Sequence, residues 1–297
     1  MKAFIRIAIR IQECITNLTQ TGISIIRIIL FSRSSTTLPK PSNKTVSILG
    51  NGPSLKWSLE NQFEWIESTE VICVNNFAST EYYVRLKPQN YVLLDPAYFT
   101  YSEKNLDRGD IKKTFHSIFM TTNWPINVYV PQQAKKSNYF KAFAADNPNI
   151  KLIYFNYTIF EGFDFFKYFL FSKRISMPQS ENVLVAALFL MISRNFEYIY
   201  IFGADHSWHE QIQIRDDNML TLKDVHFYNP DVEKESERVL YNASEKQKVS
   251  ISKQFRSFSK AFRGYDILAG YAKYKNVKVY NASEKSYVDA FDRIKLK

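Results

Sequence analysis

From Thr45 onward the chain alternates short runs of β-branched and aromatic residues with helix-compatible segments. V-S-I-L (46–49), V-I-C-V (71–74), Y-V-L-L (91–94), N-V-Y-V (127–130), K-L-I-Y-F (151–155), Y-I-Y-I-F (198–202) and V-K-V-Y (277–280) read as strands. Several are apolar at successive positions, as strands covered on both faces must be. E-N-V-L-V-A-A-L-F-L-M-I (181–192) reads as a buried helix just ahead of the Tyr198 strand. The rhythm predicts an α/β fold: a Rossmann-like, doubly wound, mostly parallel sheet. Ligands of such sheets collect beyond the carboxyl ends of the strands.

That rule sorts the polar residues. Gly50-Asn51-Gly52-Pro53-Ser54 follows the first strand, Asn75-Asn76 the second and Asp95-Pro96 the third. Gly203-Ala204-Asp205-His206 follows the Tyr198 strand, and Asn281-Ala282-Ser283 the last. Each alone is an ordinary turn or cap; together they outline one rim. The chain has only 8 glycines, and two stand in the first of these loops. Glycines there let a backbone approach a phosphate, with Ser54 and the next helix's amides as donors. The loop is neither G-x-G-x-x-G nor a P-loop, so the mono- or diphosphate end of a nucleotide is the expected ligand.

Two stretches break the rhythm. A-F-I-R-I-A-I-R-I-Q and G-I-S-I-I-R-I-I-L-F are apolar runs interrupted by Arg6, Arg10 and Arg27. Neither has the roughly 18–20 uninterrupted apolar residues of a membrane span. A basic amphipathic segment in the headgroup layer is expected, with an arm packed on the body or on a neighbouring subunit, or a transit peptide, as alternatives. Residues 32–44, rich in Ser, Thr and Pro, read as a linker, so the leader and linker occupy 1–44 and the compact domain 45–297. The second stretch is 206–250. There Q-I-Q-I-R-D-D-N-M-L-T-L-K-D-V-H-F-Y reads as a hairpin closing at Asp216-Asp217-Asn218, followed by a polar run, 229–238, in an excursion from the sheet.

Composition adds limits. Apolar residues make up 45% and aromatics 16%, enough for a substantial core. The net charge is +10, of which residues up to Val46 carry +6, seven basic side chains against Glu13. No zinc-finger, RRM or KH signature accompanies that charge, so an anionic membrane surface contacted through residues 1–40 is expected and nucleic acid is not. Cys14 and Cys73 stand far apart without metal spacing, which points to a reducing cytoplasmic compartment. The expected location is the inner face of the cytoplasmic membrane; a homo-oligomer is left open.

G-N-G-P-S-L after the first strand resembles the start of the bacterial lipooligosaccharide sialyltransferases. It also resembles the wider group of hydroxymethylpterin diphosphokinase-like and flagellin-modifying proteins. V-N-N-F (74–77), L-L-D-P (93–96), G-F-D-F-F-K (162–167), K-R-I-S (173–176) and E-Y-I-Y-I-F-G-A-D (197–205) match family segments in order. V-K-V-Y-N-A-S-E-K-S-Y-V-D-A-F (277–291) resembles the wider group's closing strand and helix. The resemblance implies a GT-A-like variant of the fold and a single-displacement glycosyltransferase. It would move an acidic, sialic-acid-like sugar from a CMP donor to a surface glycan or lipid-linked acceptor, without metal or other cofactor. Gly50, Asn51, Gly52, Pro53, Ser54, Arg174 and Gly203 would hold the nucleotide, and 206–250 would be a lid insertion over it, with Tyr228 and Tyr241 as the candidate phosphate-contacting tyrosines. Asn75, Asn76 and Asp95 would lie near the sugar.

The family's histidine after the lid is absent: Q-F-R-S-F-S-K-A-F-R-G-Y-D around 255–265 contains none. His206, Asp205 and His226 are the candidates for the general base that transfer to a hydroxyl needs. His209 reads as lid scaffolding and His116 as a solvated or capping residue. Two other readings stand beside this one. A Mg²⁺-dependent pterin-type diphosphokinase would need clustered carboxylates, for which only Asp95 and Asp205 qualify. A non-catalytic membrane-surface protein on the same fold would fit the missing histidine.

Overall fold

A computed structural model of the chain describes residues 1–33, 37–100, 108–223, 225–228, 238–242 and 247–296. The first six strands are β1 (Thr45–Leu49), β2 (Glu70–Val74), β3 (Asn90–Val92), β4 (Ile126–Pro131), β5 (Ile150–Phe155) and β6 (Tyr198–Phe202). Short strands follow: β7 (Ile212–Ile214), β8 (Leu220–Leu222), β9 (Arg238–Val239), β10 (Tyr241–Asn242) and β11 (Gln247–Lys248). The last two are β12 (Lys278–Asn281) and β13 (Asp292–Arg293). Eight form one sheet in the order β13-β12-β6-β1-β2-β3-β4-β5, and every pairing is parallel. The chain walks out from β1 to β5, returns to lay β6 against β1, and walks out on the other side. The doubly wound α/β fold is therefore present, with its change of direction between β1 and β6.

The helices are α1 (Lys2–Phe31), α2 (Leu55–Asn61), α3 (Phe63–Glu67), α4 (Tyr82–Leu86), α5 (Ala97–Thr100), α6 (Gly109–Phe115), α7 (Asn138–Ala145), α8 (Asp164–Ser172), α9 (Val183–Ser193) and α10 (Ile251–Tyr274). Successive strand residues point to opposite faces, and the core divides accordingly. Ile48, Ile72, Val74 and Val92 pack with α9, Phe171 of α8 and Tyr271 of α10. Leu49, Val71, Cys73 and Val128 pack with Leu59 of α2, Tyr83 of α4 and Phe115 of α6. Helix α9 is apolar all round because it is enclosed: every residue from Leu184 to Ser193 is buried.

At the amino edge of the sheet an ion pair is sealed in. Arg194, following α9, meets Glu70 at 2.6 Å with both side chains at most 2% exposed. Its remaining donors reach Asn90 Oδ1, Pro39 O and Lys40 O. Glu70 accepts from Asn90 and from the amide and hydroxyl of Ser42. The linker's end is thereby bound to the sheet.

Two elements differ from the sequence reading. The leader is one helix of 30 residues rather than two runs, since three arginines on a single stripe do not interrupt an amphipathic helix. By length and composition alone, helix α1 is long and apolar enough over Phe4–Phe31 to cross a membrane. Its last third lies on the body: Ser24 Oγ donates to Glu161 O, and Phe163 N–H donates to Thr21 Oγ1. The closing segment also differs. Residues 282–291 form no helix, because polar side chains fold them back across the sheet end. Ser283 Oγ receives Ala204 N–H, Ser286 Oγ donates to Ala204 O, and Tyr287 N–H donates to Asp205 O.

Candidate functional site

Because β1 and β6 are neighbours whose connections leave in opposite directions, their following loops enclose a crevice at the carboxyl edge. The loops first lock onto each other. Gly50 N–H donates to Phe202 O at 2.8 Å and Gly52 N–H to Gly203 O at 3.0 Å. A Cβ on Gly50 would stand 2.4 Å from Gly203 O, and one on Gly52 would stand 2.3 Å from Asp205 Oδ1. Asp205 completes the lock: Oδ2 accepts Ser54 N–H at 2.9 Å and Oδ1 accepts the Ser54 hydroxyl at 2.6 Å. Burial raises the Asp205 carboxyl above its ordinary value, against the lowering effect of the Ser54 donors.

This differs from the sequence reading at its centre. The two glycines permit one loop to touch another, and the amides of Gly50, Gly52 and Ser54 are already bonded within the protein. An internal carboxylate occupies the place expected for a phosphate. Asp205, expected as a base, is engaged with Ser54.

Outside the lock lies a cavity of about 260 Å³. Asn51, Gly52 and Pro53 line one side, and Gly203, Asp205, His206 and Trp208 another. Asn75, Asn182, Lys223 and His226 complete it. A second cavity, of about 660 Å³, continues over β3 and β4 and is lined by Asp95, Phe99, Lys136, Tyr157 and Ser180 among others. Asn75, Glu181, Asn182 and Val183 belong to both walls. The two cavities form one groove with a shared seam.

The seam is the amino end of α9. Asn182 caps that helix through Oδ1, which accepts Val185 N–H at 3.1 Å, so the positive end of an 11-residue helix faces the groove. Among the described residues, Asn51 Oδ1, Asn75 Oδ1 and Asn182 Nδ2 are buried with no hydrogen-bond partner. All three residues line the first cavity. An unsatisfied buried polar atom costs about 1–3 kcal/mol.

His206 is buried, has a left-handed backbone (φ 51) and is stacked on Trp208 at 4.3 Å. Holding a non-glycine residue there costs on the order of 1–3 kcal/mol, and such strain gathers at functional sites. Its Nε2 lies 2.6 Å from the Tyr265 hydroxyl, which also reaches Asn182 Oδ1. The Tyr265 proton can serve either His206 Nε2 or Asn182 Oδ1, so the imidazole tautomer follows whichever of the two it bonds. Burial lowers the imidazole to about 3, so at neutral pH the ring is uncharged.

The other expected residues divide. Asn51, Gly52, Pro53, Asn75, Gly203 and His226 line the first cavity, and Asp95 the second. His226 stacks on Tyr228, and this segment is pinned where Phe227 N–H donates to Asn51 O. Gly50 and Ser54 lie within the lock. Asn76 turns away: its Oδ1 accepts from the hydroxyls of Tyr98 and Thr114. Arg174 lines neither cavity; it has a left-handed backbone just past α8, bonded to Asn156. Tyr228 packs against Phe227, and the side chain of Tyr241 lies outside the described residues. The hairpin of β7 and β8 is present, with Asn218 left-handed at its turn, while part of the expected lid falls outside the described residues.

Sequence reasoning missed Asn182, Glu181, Trp208 and Lys223. The signal for Asn182 was an Asn directly before an apolar helix that must begin at the carboxyl rim. Among the described residues no three His, Cys, Asp or Glu side chains gather in a way that could hold a metal ion.

No family model matches the sequence, and no curated protein matches it. Among solved structures, one described as the MAf glycosyltransferase from Magnetospirillum magneticum AMB-1 superposes over 89% of this chain with a TM-score of 0.46 and 12% identity. The chain covers 35% of that protein. So shallow a likeness bears on neither family nor activity.

Proposed function

We propose that the protein is a glycosyltransferase that binds a nucleotide sugar in the first cavity and its acceptor in the second. One observation carries the reading: three residues that line the first cavity each keep a buried amide atom without a partner, one of them at the helix end where the two cavities meet. Amide groups in both donor and acceptor roles suit sugar hydroxyls, and the end of α9 with Lys223 suits a phosphate. Trp208 and His206, stacked on each other, give this cavity an aromatic wall for a base. Two joined cavities are what transfer between two substrates requires.

In the proposed reaction the acceptor oxygen bonds to the anomeric carbon while that carbon's bond to the phosphate oxygen breaks. The nucleotide leaves with the electron pair. Glu181, on the seam, takes the acceptor's proton, and neutral His206 holds Tyr265, and through it Asn182, in place. A CMP-linked acidic sugar is the proposed donor, since one phosphate and one carboxylate need no divalent ion. A lipid-linked or surface glycan is the proposed acceptor, met at the inner face of the cytoplasmic membrane. The diphosphokinase alternative fits less well, because Asp95 and Asp205 line different cavities and Asp205 is bound to Ser54.

A thermal-shift screen of CMP, UDP, GDP and ATP, followed by hydrolysis of matching nucleotide sugars with and without EDTA, tests the reading. A shift with CMP and slow EDTA-resistant hydrolysis of a CMP-sugar are expected. Strict Mg²⁺ dependence with ATP, or no shift with any nucleotide, would overturn it.

A further inference from the structure

We infer that α1 and α8 together form one lipid-binding surface, so that the body, and not the leader alone, rests on an anionic membrane. The inference is independent of the proposed chemistry.

Helix α1 meets the body by its polar side. Thr21 and Ser24 are buried against Glu161 and Phe163, and a Cβ on Gly162 would stand 2.1 Å from Thr21 Oγ1. With that side committed, the apolar stripe through Phe4, Ile7, Ile11, Ile15, Leu18 and Ile29 faces outward, each residue at least 55% exposed. A helix buried in its own protein would do the reverse. Spanning by Phe4–Phe31 conflicts with the docking, because Thr21 and Ser24 would carry the 161–163 loop into hydrocarbon, where exposed irregular backbone is not tolerated. Arg6, Arg10 and Arg27 lie along the same helix, as in segments that lie in the interface.

Helix α8 starts where α1 is held, since Phe163 N–H bonds to Thr21 Oγ1. Its outward side presents Phe165, 78% exposed, with Phe166 and Phe169 near half. Lys173 lies 5.4 Å over the Phe169 ring. Aromatic rings beside cations at the end of a docked amphipathic helix match the headgroup layer of an anionic bilayer. The same junction reaches the groove: Ser32, just past α1, bonds to Thr158, next to Tyr157 of the second cavity.

The test uses the full chain with vesicles of phosphatidylcholine, with and without phosphatidylglycerol. Phe165→Ser/Phe166→Ser/Phe169→Ser is expected to keep the thermal midpoint and to lower partitioning onto anionic vesicles at least about ten-fold. In a Cys14→Ser chain, an environment-sensitive fluorophore on Phe166→Cys is expected to shift to the blue when those vesicles are added. Unchanged partitioning of the triple variant, or vesicle binding without a fluorophore shift, would overturn the inference. So would a stable wild-type dimer that the triple variant dissociates, since the surface would then belong to a second copy.

Discussion

Glu70→Gln isolates the sealed ion pair with little change of shape. The amide keeps the volume of the carboxyl but leaves the Arg194 guanidinium, at most 2% exposed with its partner, without a counter-charge. Removing one member of a buried pair costs about 3–5 kcal/mol, because the survivor stays desolvated. For a chain of this size that lowers the melting temperature by on the order of 10 °C. The pH dependence gives a second handle. Burial by itself would raise the Glu70 carboxyl, but Arg194, Asn90 and Ser42 outweigh it and hold it below the ordinary value. A depressed folded-state value means the stabilisation is complete above the unfolded-state pKa of about 4.3 and fades as pH falls through the folded-state value. Urea unfolding of both proteins at pH 7, 5, 4 and 3 reads both effects. The gap between wild type and variant should be widest at pH 7 and close at the acid end. A gap under about 1 kcal/mol at pH 7, or one that does not change down to pH 3, would refute the argument.

Four further outcomes are expected. Asn182→Asp keeps the cap oxygen on Val185 but loses the unpartnered donor, so the fold should persist while isothermal titration shows the proposed nucleotide binding about ten-fold more weakly, about 1.4 kcal/mol. Gly52→Ala drives a Cβ into Asp205 and Gly203 and should cost about 1–3 kcal/mol in urea unfolding. His206→Gln tests the buried ring: the folded value near 3 means the unfolded chain binds the extra proton below pH 6.5, so wild-type stability falls as pH drops. The variant's stability between pH 6 and 4 should be flatter by about 1.4 kcal/mol per pH unit. Gly162→Ala, with φ +128 and a Cβ 2.1 Å from Thr21 Oγ1, should undock α1 and raise protease cleavage within residues 21–33 while leaving the sheet's far-ultraviolet dichroism unchanged.

Much of the sheet could be read in advance because continuous apolar runs have few other homes. All seven predicted strands overlap β1 to β6 and β12. The rim was legible for the same reason, since strand ends place it. What could not be read was which polar groups on the rim satisfy each other. Ser54 and Asp205 are far apart in sequence, and only the β1–β6 pairing brings them within 2.6 Å. Asn76 looked equivalent to Asn75, yet one faces the groove and the other holds Tyr98 and Thr114. Adjacent positions past a strand end carry no periodicity to separate them. The closing helix failed because Ser283 and Ser286 found backbone partners in the Ala204 loop, a tertiary choice that local propensity does not encode.

Strand β1 has β6 on one flank, but a ribosome delivers β6 only after the whole β2–β5 excursion. At about 5–20 residues per second, Ser54 waits roughly 8–30 s for Asp205 to be synthesised. During that interval one edge of β1 is a bare template for foreign strands. Nascent chains should therefore depend on chaperone cover until residue 205 has cleared the exit tunnel, and truncations ending before β6 should be found in inclusion bodies.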